Sequence, residues 1–320
     1  MNIGFWENQL CERGTTTSLY DYAFYNQTIL GNKSFIFYDK NSQNNKAEII
    51  EKFKKQFIVH ECINFKEADD YISQYKITHI YIIKSGSIDD RFSKVAKNCI
   101  HCVFDCNQVH GDVYASVSPW VYGNNGQYPV VPHMINLPII ETDLREKLNI
   151  PKNAIVFGGY GGKDSFDIHF VHKVVYTIAL NNPNIYFLFA NFNRFCPDLP
   201  NIIHLPMITE MEEKVKFINT TDAMIWARSM GETYGIAIGE FSSKNKPVIA
   251  MKIGDLAHVH LLGDKAIWYT HEQSLKDILT TFNPSTEKCK DWNAYKDYTP
   301  EKVIQIFKNV FLSDSIHCIK

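Results

Sequence analysis

The feature that most constrains the fold is the alternation of short β-rich runs with longer amphipathic stretches along the 320-residue chain. Runs such as "NIGFW" from Asn2 and "SFIFY" from Ser34 are rich in aromatic and β-branched residues. Between these two runs, the stretch that begins "TTTSLYDYA" places apolar residues at helical spacing. Alternation of this kind is typical of parallel sheets with crossover helices, so the sequence predicts an α/β protein.

The chain is long enough for two domains of ordinary size. Proline and glycine crowd its middle, from "SPWVYGNNGQYPVVPHMINLP" to Pro151, which indicates a linker around residues 136–150. We therefore predict two Rossmann-like domains, residues 1–138 and 139–320. The stretch "TPEKVIQIFKNVFL" predicts a last helix over residues 300–312, which we assign to the second domain.

Charge and hydropathy exclude several classes of partner. The formal net charge of -2 gives no general attraction to nucleic acid, and we expect no nucleic-acid partner. No run of about 18 apolar residues is present, so we expect no integral membrane segment. The first residues lack the pattern of a signal peptide, which leads us to expect a cytoplasmic protein.

A cysteine trio in "CIHCVFDC", made of Cys99, Cys102 and Cys106, resembles a set of metal ligands. A structural zinc site needs four donors, usually in two spaced pairs, and no second pair follows. Buried thiols in a strand explain the trio better. We expect neither a metal ion nor another cofactor.

The glycine-rich stretch "FGGYGGKDSF" follows a predicted strand and precedes a predicted helix. The dinucleotide fingerprint needs glycine where Asp164 stands, and a Walker A loop needs glycine at Phe157 and serine or threonine at position 164. Two interpretations remain. Either Gly161, Gly162 and Lys163 approach an anion through backbone N–H groups and an ammonium group, or the stretch is a tight strand-to-helix turn.

The stretch "GETYGIAIGE" carries two carboxylates eight positions apart, Glu232 and Glu240. On a helix they would lie about 80° apart, so they would contact two different hydroxyl-bearing groups rather than share a proton. Gly235 and Gly239 each cost about 1 kcal/mol in a helix interior, which the close approach of a ligand or a neighbouring backbone would explain. The start of such a helix suits a diphosphate. The pattern favours a nucleotide-sugar site, with helix capping by the acidic residues as the alternative.

The region "DAMIWARSMGETYGIAIGEFSSKNKPVIA", from Asp222 to Ala250, resembles the E-x7-E region of glycosyltransferase family 4, whose members are retaining enzymes of the GT-B fold. The resemblance implies two Rossmann-like domains that face each other across a cleft, with the last helix crossing back to the N-terminal domain. It implies that Glu232 contacts the donor sugar and Glu240 the ribose. The backbone amides that would hold the diphosphate are those of Thr233, Tyr234 and Gly235.

The family also places an arginine and a lysine on the first glycine loop of the C-terminal domain. Here Gly159 occupies the arginine position, and Lys163 is the nearby lysine. The favoured substitute for the arginine is Arg228, with Arg194 as a second candidate.

Two weaker correspondences lie in the first domain. Gly14 in "ERGTTTS" resembles the family's glycine loop near the donor phosphates or the acceptor. His110 in "QVHGDVYA" resembles a histidine near the sugar, although a structural role is the alternative.

The implied activity is transfer of a sugar from a nucleotide-diphosphate sugar to a hydroxyl group of a carbohydrate or glycoconjugate acceptor. The resemblance implies retention of the anomeric configuration without a metal ion. Lys163, Arg228 and the helix start would stabilise the departing phosphate. Two alternatives stay open: a sugar-nucleotide hydrolase or epimerase of the same fold, and a catalytically weak sugar-nucleotide-binding or scaffold protein.

Overall fold

The computed structural model describes residues 1–313. The chain forms two compact units. Unit 1 comprises Met1–Met134 with residues 298–313, and unit 2 comprises Ile135–Asp297. Each unit is built on a six-stranded sheet in which every strand pair is parallel. The predicted α/β class with two Rossmann-like domains is therefore confirmed.

Unit 1 has the strand order β3-β2-β1-β4-β5-β6. Its strands are β1 (Asn2–Glu7), β2 (Lys33–Asp39), β3 (Ile58–Cys62), β4 (His79–Lys84), β5 (Lys97–Cys102) and β6 (Val113–Ser116). Its first three helices are α1 (Gly14–Thr28), α2 (Ala47–Gln56) and α3 (Phe65–Gln74). The strand order reverses between β1 and β4, and the carboxyl ends of strands at such a switch point are where open α/β sheets bind ligands.

The last helix packs inside unit 1. It comprises α10 (Pro300–Phe307) and a π-helical turn (Lys308–Leu312). The Phe307 ring lies 5.0 Å from that of Tyr22 and 5.1 Å from that of Tyr81, measured between centroids. The structure thus groups this helix with unit 1 rather than with the predicted domain of residues 139–320, and the unit boundary falls after Met134 rather than after residue 138. The helix belongs to unit 1 because its apolar face is buried against aromatic residues of α1 and β4.

Unit 2 has the strand order β14-β12-β10-β7-β8-β9. Its strands in this sheet are β7 (Ile155–Tyr160), β8 (Ile185–Ala190), β9 (Ile202–Leu205), β10 (Ala223–Ile225), β12 (Val248–Ala250) and β14 (Ile267–Trp268). Its helices are α4 (His169–Asn181), α5 (Met211–Thr220), α6 (Ile236–Ser243), α7 (Ala257–Leu262), α8 (Glu272–Thr281) and α9 (Pro284–Glu287). The order reverses between β7 and β10, which makes the carboxyl ends of these two strands the expected ligand edge of unit 2.

A separate two-stranded sheet joins β11 (Gly231–Glu232) to β13 (Asp255–Leu256). This sheet is not among the predicted elements. Gly231 has a φ of +72°, and a Cβ there would lie 2.3 Å from the backbone nitrogen of Asp255. Only glycine allows the two backbones to approach so closely. The small sheet fixes the position of Glu232 beside the carboxyl edge of unit 2.

The helix expected over "TYGIAIGEF" begins later than the apolar pattern indicates. Gly235 precedes α6 with a φ of +84°, so Thr233 and Tyr234 lie outside the helix. Gly239 lies within α6, and a Cβ there would come within 2.7 Å of both the Tyr295 ring and the Ile135 side chain. A turn therefore requires one of the two glycines, and close side-chain packing requires the other.

Candidate functional site

Glu232 holds its carboxylate between two donors that come from the end of β10. The Trp226 indole N–H donates to Oε1 at 3.0 Å, and the Arg228 guanidinium donates to Oε2 at 3.0 Å. Trp226 is itself buried, and its carbonyl oxygen accepts a hydrogen bond from the Tyr269 hydroxyl. The carboxylate is therefore oriented by both neighbours at a half-buried position.

The electrostatic setting of Glu232 combines burial with a close positive charge. Burial raises the pKa of Glu232, and Arg228 and the Trp226 N–H oppose that rise without cancelling it. The guanidinium of Arg228 uses one N–H in this ion pair, with 27% of its side chain exposed. The pair thus offers a carboxylate acceptor for hydroxyl groups and further N–H donors for an anion.

Helix α6 begins four residues after this carboxylate, at Ile236. The described residues supply no side-chain cap for this helix. Tyr234, just before the turn, is buried, and its carbonyl oxygen accepts a hydrogen bond from the Tyr295 hydroxyl at 2.9 Å. The first N–H groups of a helix lack partners within the helix and favour an anion. The geometry suits a phosphate group at this point.

Glu240 lies one turn inside α6 and is buried among polar side chains. The Lys214 ammonium, from α5, donates to Oε1 at 2.8 Å. The Tyr160 hydroxyl, at the end of β7, donates to Oε2. The second carboxylate, carried by α6, is thus held by residues of two other elements, α5 and β7.

The loop after β7 carries the other predicted donor-binding residues. The Gly161 carbonyl oxygen accepts from the Asn191 side chain at 2.6 Å, and the Gly162 carbonyl oxygen accepts from the Ser165 N–H at 2.9 Å. Lys163 is exposed, and within residues 1–313 its ammonium group makes no hydrogen bond or ion pair. The loop forms a hydrogen-bonded turn and also presents a cation to solvent.

Gly159, where an arginine was expected, lies within β7 and not on the loop. A Cβ at this position would come within 2.8 Å of the Ile225 carbonyl oxygen on neighbouring β10. The strand contact therefore excludes an arginine side chain at residue 159. Arg194, the second candidate substitute, forms an exposed ion pair with Asp198.

Asp167, which is not among the predicted site residues, connects the two loops that carry Lys163 and Arg228. Its carboxylate accepts from the Ser229 N–H at 2.7 Å and from the Ser229 hydroxyl at 2.6 Å. Although burial raises the pKa of Asp167, these hydrogen bonds outweigh that effect and lower it. The Asp167 N–H also donates to the Ala227 carbonyl oxygen at 2.8 Å, which fixes the two loops together.

The two candidates in unit 1 lie in different settings. Gly14 is exposed and is the first residue of α1. His110 directs Nδ1 towards the Gln108 carbonyl oxygen at 2.7 Å, while its buried Nε2 has no partner in the described part of the chain. Burial lowers the pKa of His110, so the imidazole stays neutral at neutral pH. The unpaired Nε2 is therefore a neutral hydrogen-bonding atom that solvent does not reach.

Two buried charged residues at the carboxyl ends of β1 and β4 also escaped the sequence analysis. Burial raises the pKa of Glu7 to about 7, and its carboxylate accepts from the Asn8 N–H at 3.0 Å. Lys84 forms a 2.5 Å ion pair with Asp89 and is almost fully buried. Both residues end apolar strands, where a sequence pattern alone does not distinguish a buried charge from an exposed one.

Among residues 1–313, no group of three or more histidine, cysteine, aspartate and glutamate side chains is arranged to hold a metal ion. Cys99, Cys102 and Cys106 are buried free thiols. In the described part of the chain, no helix combines the length and the apolar character needed to span a bilayer.

The structure brings together most of the predicted donor-site residues in unit 2. One group follows β10 at the carboxyl edge of the sheet and contains Arg228, Glu232, Thr233, Tyr234, Gly235 and Glu240. A second group follows neighbouring β7 and contains Gly161, Gly162 and Lys163. His110 and Gly14 belong to unit 1. The sequence did not predict a role in the site for three residues. Lys214 and Tyr160 lie far from their partner Glu240 in sequence. Trp226 resembles an ordinary core residue.

Comparison with known proteins identifies the fold. No protein-family model matches the sequence, and a sequence search of curated proteins finds no match. Among solved structures, HepE from Anabaena in complex with UDP and glucose has a TM-score of 0.73 at 12% identity, over 98% of this chain and 100% of that one. A glycosyltransferase from Rickettsia africae has a TM-score of 0.66 at 14% identity, over 97% of this chain and 94% of that one. WaaG, a glycosyltransferase involved in lipopolysaccharide biosynthesis, has a TM-score of 0.60 at 10% identity, over 95% of this chain and 99% of that one. The chain shares the GT-B fold of these enzymes.

Proposed function

We propose that the protein is a glycosyltransferase that moves a sugar from a nucleotide-diphosphate sugar to an acceptor hydroxyl group. One observation carries the proposal: a carboxylate–guanidinium pair, an uncapped helix start and a second buried carboxylate follow one another from Arg228 to Glu240. This order matches a ligand with hydroxyl groups at both ends and a diphosphate between them. A structure that shares the fold, HepE, was solved with UDP and glucose.

Each part of the site has one role in this proposal. Glu232 accepts hydrogen bonds from hydroxyl groups of the donor sugar, and Trp226 and Arg228 hold it in place. The backbone amides of Thr233, Tyr234 and Gly235, with the start of α6, bind the diphosphate. Glu240 accepts from the ribose.

The reaction proceeds by breaking the bond between the anomeric carbon and the donor phosphate oxygen. The electron pair of that bond leaves with the phosphate, and the acceptor oxygen forms the new bond to the anomeric carbon. The acceptor proton passes to the departing phosphate on the same face of the sugar, which leads to retention. Arg228, Lys163 and the helix start stabilise the developing negative charge, so we propose a reaction that requires no metal ion.

The acceptor in this proposal is a carbohydrate or a glycoconjugate, bound through unit 1. The exposed start of α1 at Gly14 is one proposed contact. His110 is the second, and its Nε2 must first become accessible, because it is buried in the structure. Action in the cytoplasm, without a nucleic-acid partner, is part of the same proposal.

One observation favours a second candidate, a catalytically weak protein that binds sugar nucleotides. The contact of Gly159 with Ile225 excludes the arginine expected there, which leaves less positive charge for the leaving phosphate. Tight binding of a nucleotide sugar without turnover would distinguish this candidate from a transferase.

The test is incubation with UDP-, GDP- and ADP-sugars, with and without a mixture of oligosaccharide acceptors. Release of nucleoside diphosphate only with an acceptor, together with a glycosylated product in the mass spectrum, is the expected result. Release without an acceptor would instead indicate a hydrolase. The anomeric signals of the product in an NMR spectrum test retention.

A variant at Glu232 tests the assignment of roles within the same assay. Glu232→Gln should lower turnover at least tenfold, because a charged hydrogen-bond acceptor for the sugar is lost, and it should leave binding of the free nucleotide within a few-fold. Glu212→Gln, at an exposed position on α5, is the matched control and should behave as the wild type. Loss of nucleotide binding together with turnover would contradict the sugar-side role of Glu232.

A further inference from the structure

We propose that Lys214 is a positioning residue that holds Glu240 in the orientation needed to accept hydrogen bonds from both ribose hydroxyl groups of the donor nucleotide. The inference rests on the proposed function, because it assigns a new residue to the nucleotide end of the same site. It concerns how the site distinguishes a ribonucleotide from a nucleotide whose sugar lacks these hydroxyl groups.

The ion pair between Lys214 and Glu240 is short and largely shielded from solvent. The Lys214 Nζ lies 2.8 Å from the Glu240 Oε1, and the exposed fractions of the two side chains are 15% and 5%. A carboxylate buried to this extent needs a compensating charge, because removing one partner of a buried pair leaves an unpaired ion. Within residues 1–313, Lys214 is the cation found in an ion pair with this carboxylate.

Tyr160 holds the other oxygen of the carboxylate. Burial raises the pKa of Tyr160 well above its usual range, and the nearby Glu240 raises it further, so the hydroxyl remains a donor. The Lys214 ammonium also lies 5.6 Å from the centre of the Tyr160 ring, within cation–π range. The three side chains therefore restrain one another, and Glu240 has little rotational freedom.

The remaining acceptor capacity of Glu240 suits a vicinal diol. A carboxylate offers about four lone-pair positions, two on each oxygen. Lys214 occupies one position on Oε1 and Tyr160 occupies one on Oε2. One position is left on each oxygen, and hydroxyl groups on adjacent ribose carbons can fill both when the carboxylate is held in one orientation.

The location of Lys214 supports this role over a purely stabilising one. Its contact lies at the carboxyl edge of the unit 2 sheet, where β7 ends at Tyr160, and not in the apolar core. Lys216 lies two residues further along α5, and its ion pair with Glu213 is more exposed. It is therefore a suitable control for the loss of an α5 ion pair.

The test measures binding of the best-bound nucleoside diphosphate among UDP, GDP and ADP, and of its 2′,3′-dideoxy analogue, by isothermal titration calorimetry. The wild type should bind the ribonucleotide about tenfold or more tightly than the analogue, because charged hydrogen bonds are lost with the hydroxyl groups. Lys214→Met should weaken binding of the ribonucleotide by a similar factor and leave binding of the analogue nearly unchanged. Lys216→Met should preserve the wild-type discrimination.

The double variant Lys214→Met/Glu240→Gln removes both charges and so avoids an unpaired buried ion. It should also bind the two nucleotides with similar affinity. Discrimination that survives in either variant, or an equal loss of affinity for both nucleotides in Lys214→Met, would overturn the role of Lys214. Absence of binding by the wild type to all three diphosphates would contradict the proposed function instead.

Discussion

The indole nitrogen of Trp226 donates a hydrogen bond to Glu232 at 3.0 Å across the turn that separates β10 from β11. The carboxylate therefore depends on a buried aromatic residue for its orientation as well as on the Arg228 guanidinium. A hydrogen bond of this type contributes about 1.5–3 kcal/mol when the acceptor is charged.

Trp226→Phe should lower kcat/KM about tenfold, because Glu232 loses one of its two donors while the aromatic packing is kept. Nucleotide affinity should change little. Steady-state kinetics and calorimetry measure both quantities. Trp292→Phe is the control, since it removes an indole hydrogen bond to the Glu287 carbonyl oxygen elsewhere in unit 2. An equal fall in kcat/KM for both variants would argue against a specific role of Trp226.

Arg228→Gln should lower kcat by about 100-fold, because a cation beside the leaving phosphate is lost. It should also move the acid limb of the pH profile of kcat/KM to higher pH. Arg228 lowers the pKa of Glu232, and its removal raises that pKa, so a higher pH is needed to ionise the carboxyl. Arg194→Gln is the comparison; a larger loss there would transfer the phosphate role to Arg194.

Glu7→Gln should stabilise unit 1 at pH 8 and have little effect at pH 5. Burial raises the pKa of Glu7 from 4.5 to about 7, so the folded state binds this proton more tightly than the unfolded chain. The resulting stability is present below pH 4.5 and is lost as the pH rises to about 7, with an upper limit of about 3 kcal/mol. The amide of Glu7→Gln resembles the protonated carboxyl and does not ionise, so the variant keeps its stability as the pH rises.

Hydrogen–deuterium exchange of the β1 amides, compared with the wild type at each pH, measures this effect. Glu48→Gln, at an exposed position on α2, should show no pH-dependent difference. A benefit of Glu7→Gln that is equal at pH 5 and pH 8 would show that the Glu7 carboxyl does not titrate in this range.

Gly239→Ala should destabilise unit 2 by about 1–3 kcal/mol. An added Cβ meets the Tyr295 ring and the Ile135 side chain at 2.7 Å. The destabilisation from this overpacking exceeds the stabilisation from the higher helix propensity of alanine. Gly162→Ala, where the nearest atom lies 3.8 Å away, is the control. Urea unfolding followed by circular dichroism measures both variants, and stabilisation by Gly239→Ala would refute the packing argument.

Most of the fold could be predicted because burial imposes a pattern on single strands and helices. The apolar run "HIYII" became β4, and the stripe of Val303 and Phe307 with the proline start became α10. The sheet of β11 and β13 could not be predicted, since a two-residue strand carries no periodicity. It depends on Gly231 and on the approach of the residue 255 backbone, which is 24 positions away.

The candidate site was predicted unevenly for a related physical reason. Glu232 and Glu240 stood out because carboxylates and glycines are costly within an apolar stretch. Lys214 and Tyr160 did not, because a lysine on an amphipathic helix and a tyrosine at a strand end are ordinary residues. Their roles follow from contacts across 26 and 80 positions in sequence.

The placement of α10 in unit 1 has a consequence for the order of events on the ribosome. The residues that complete the aromatic core around Tyr22 and Tyr81 are translated after all of unit 2. N-terminal domains generally fold first during synthesis. Here all of contiguous unit 2 is synthesised before the last segment of unit 1, so unit 2 has its full set of core residues first. Phe307 is absent from the core of unit 1 until the end of translation, whereas every residue of unit 2 has by then been synthesised.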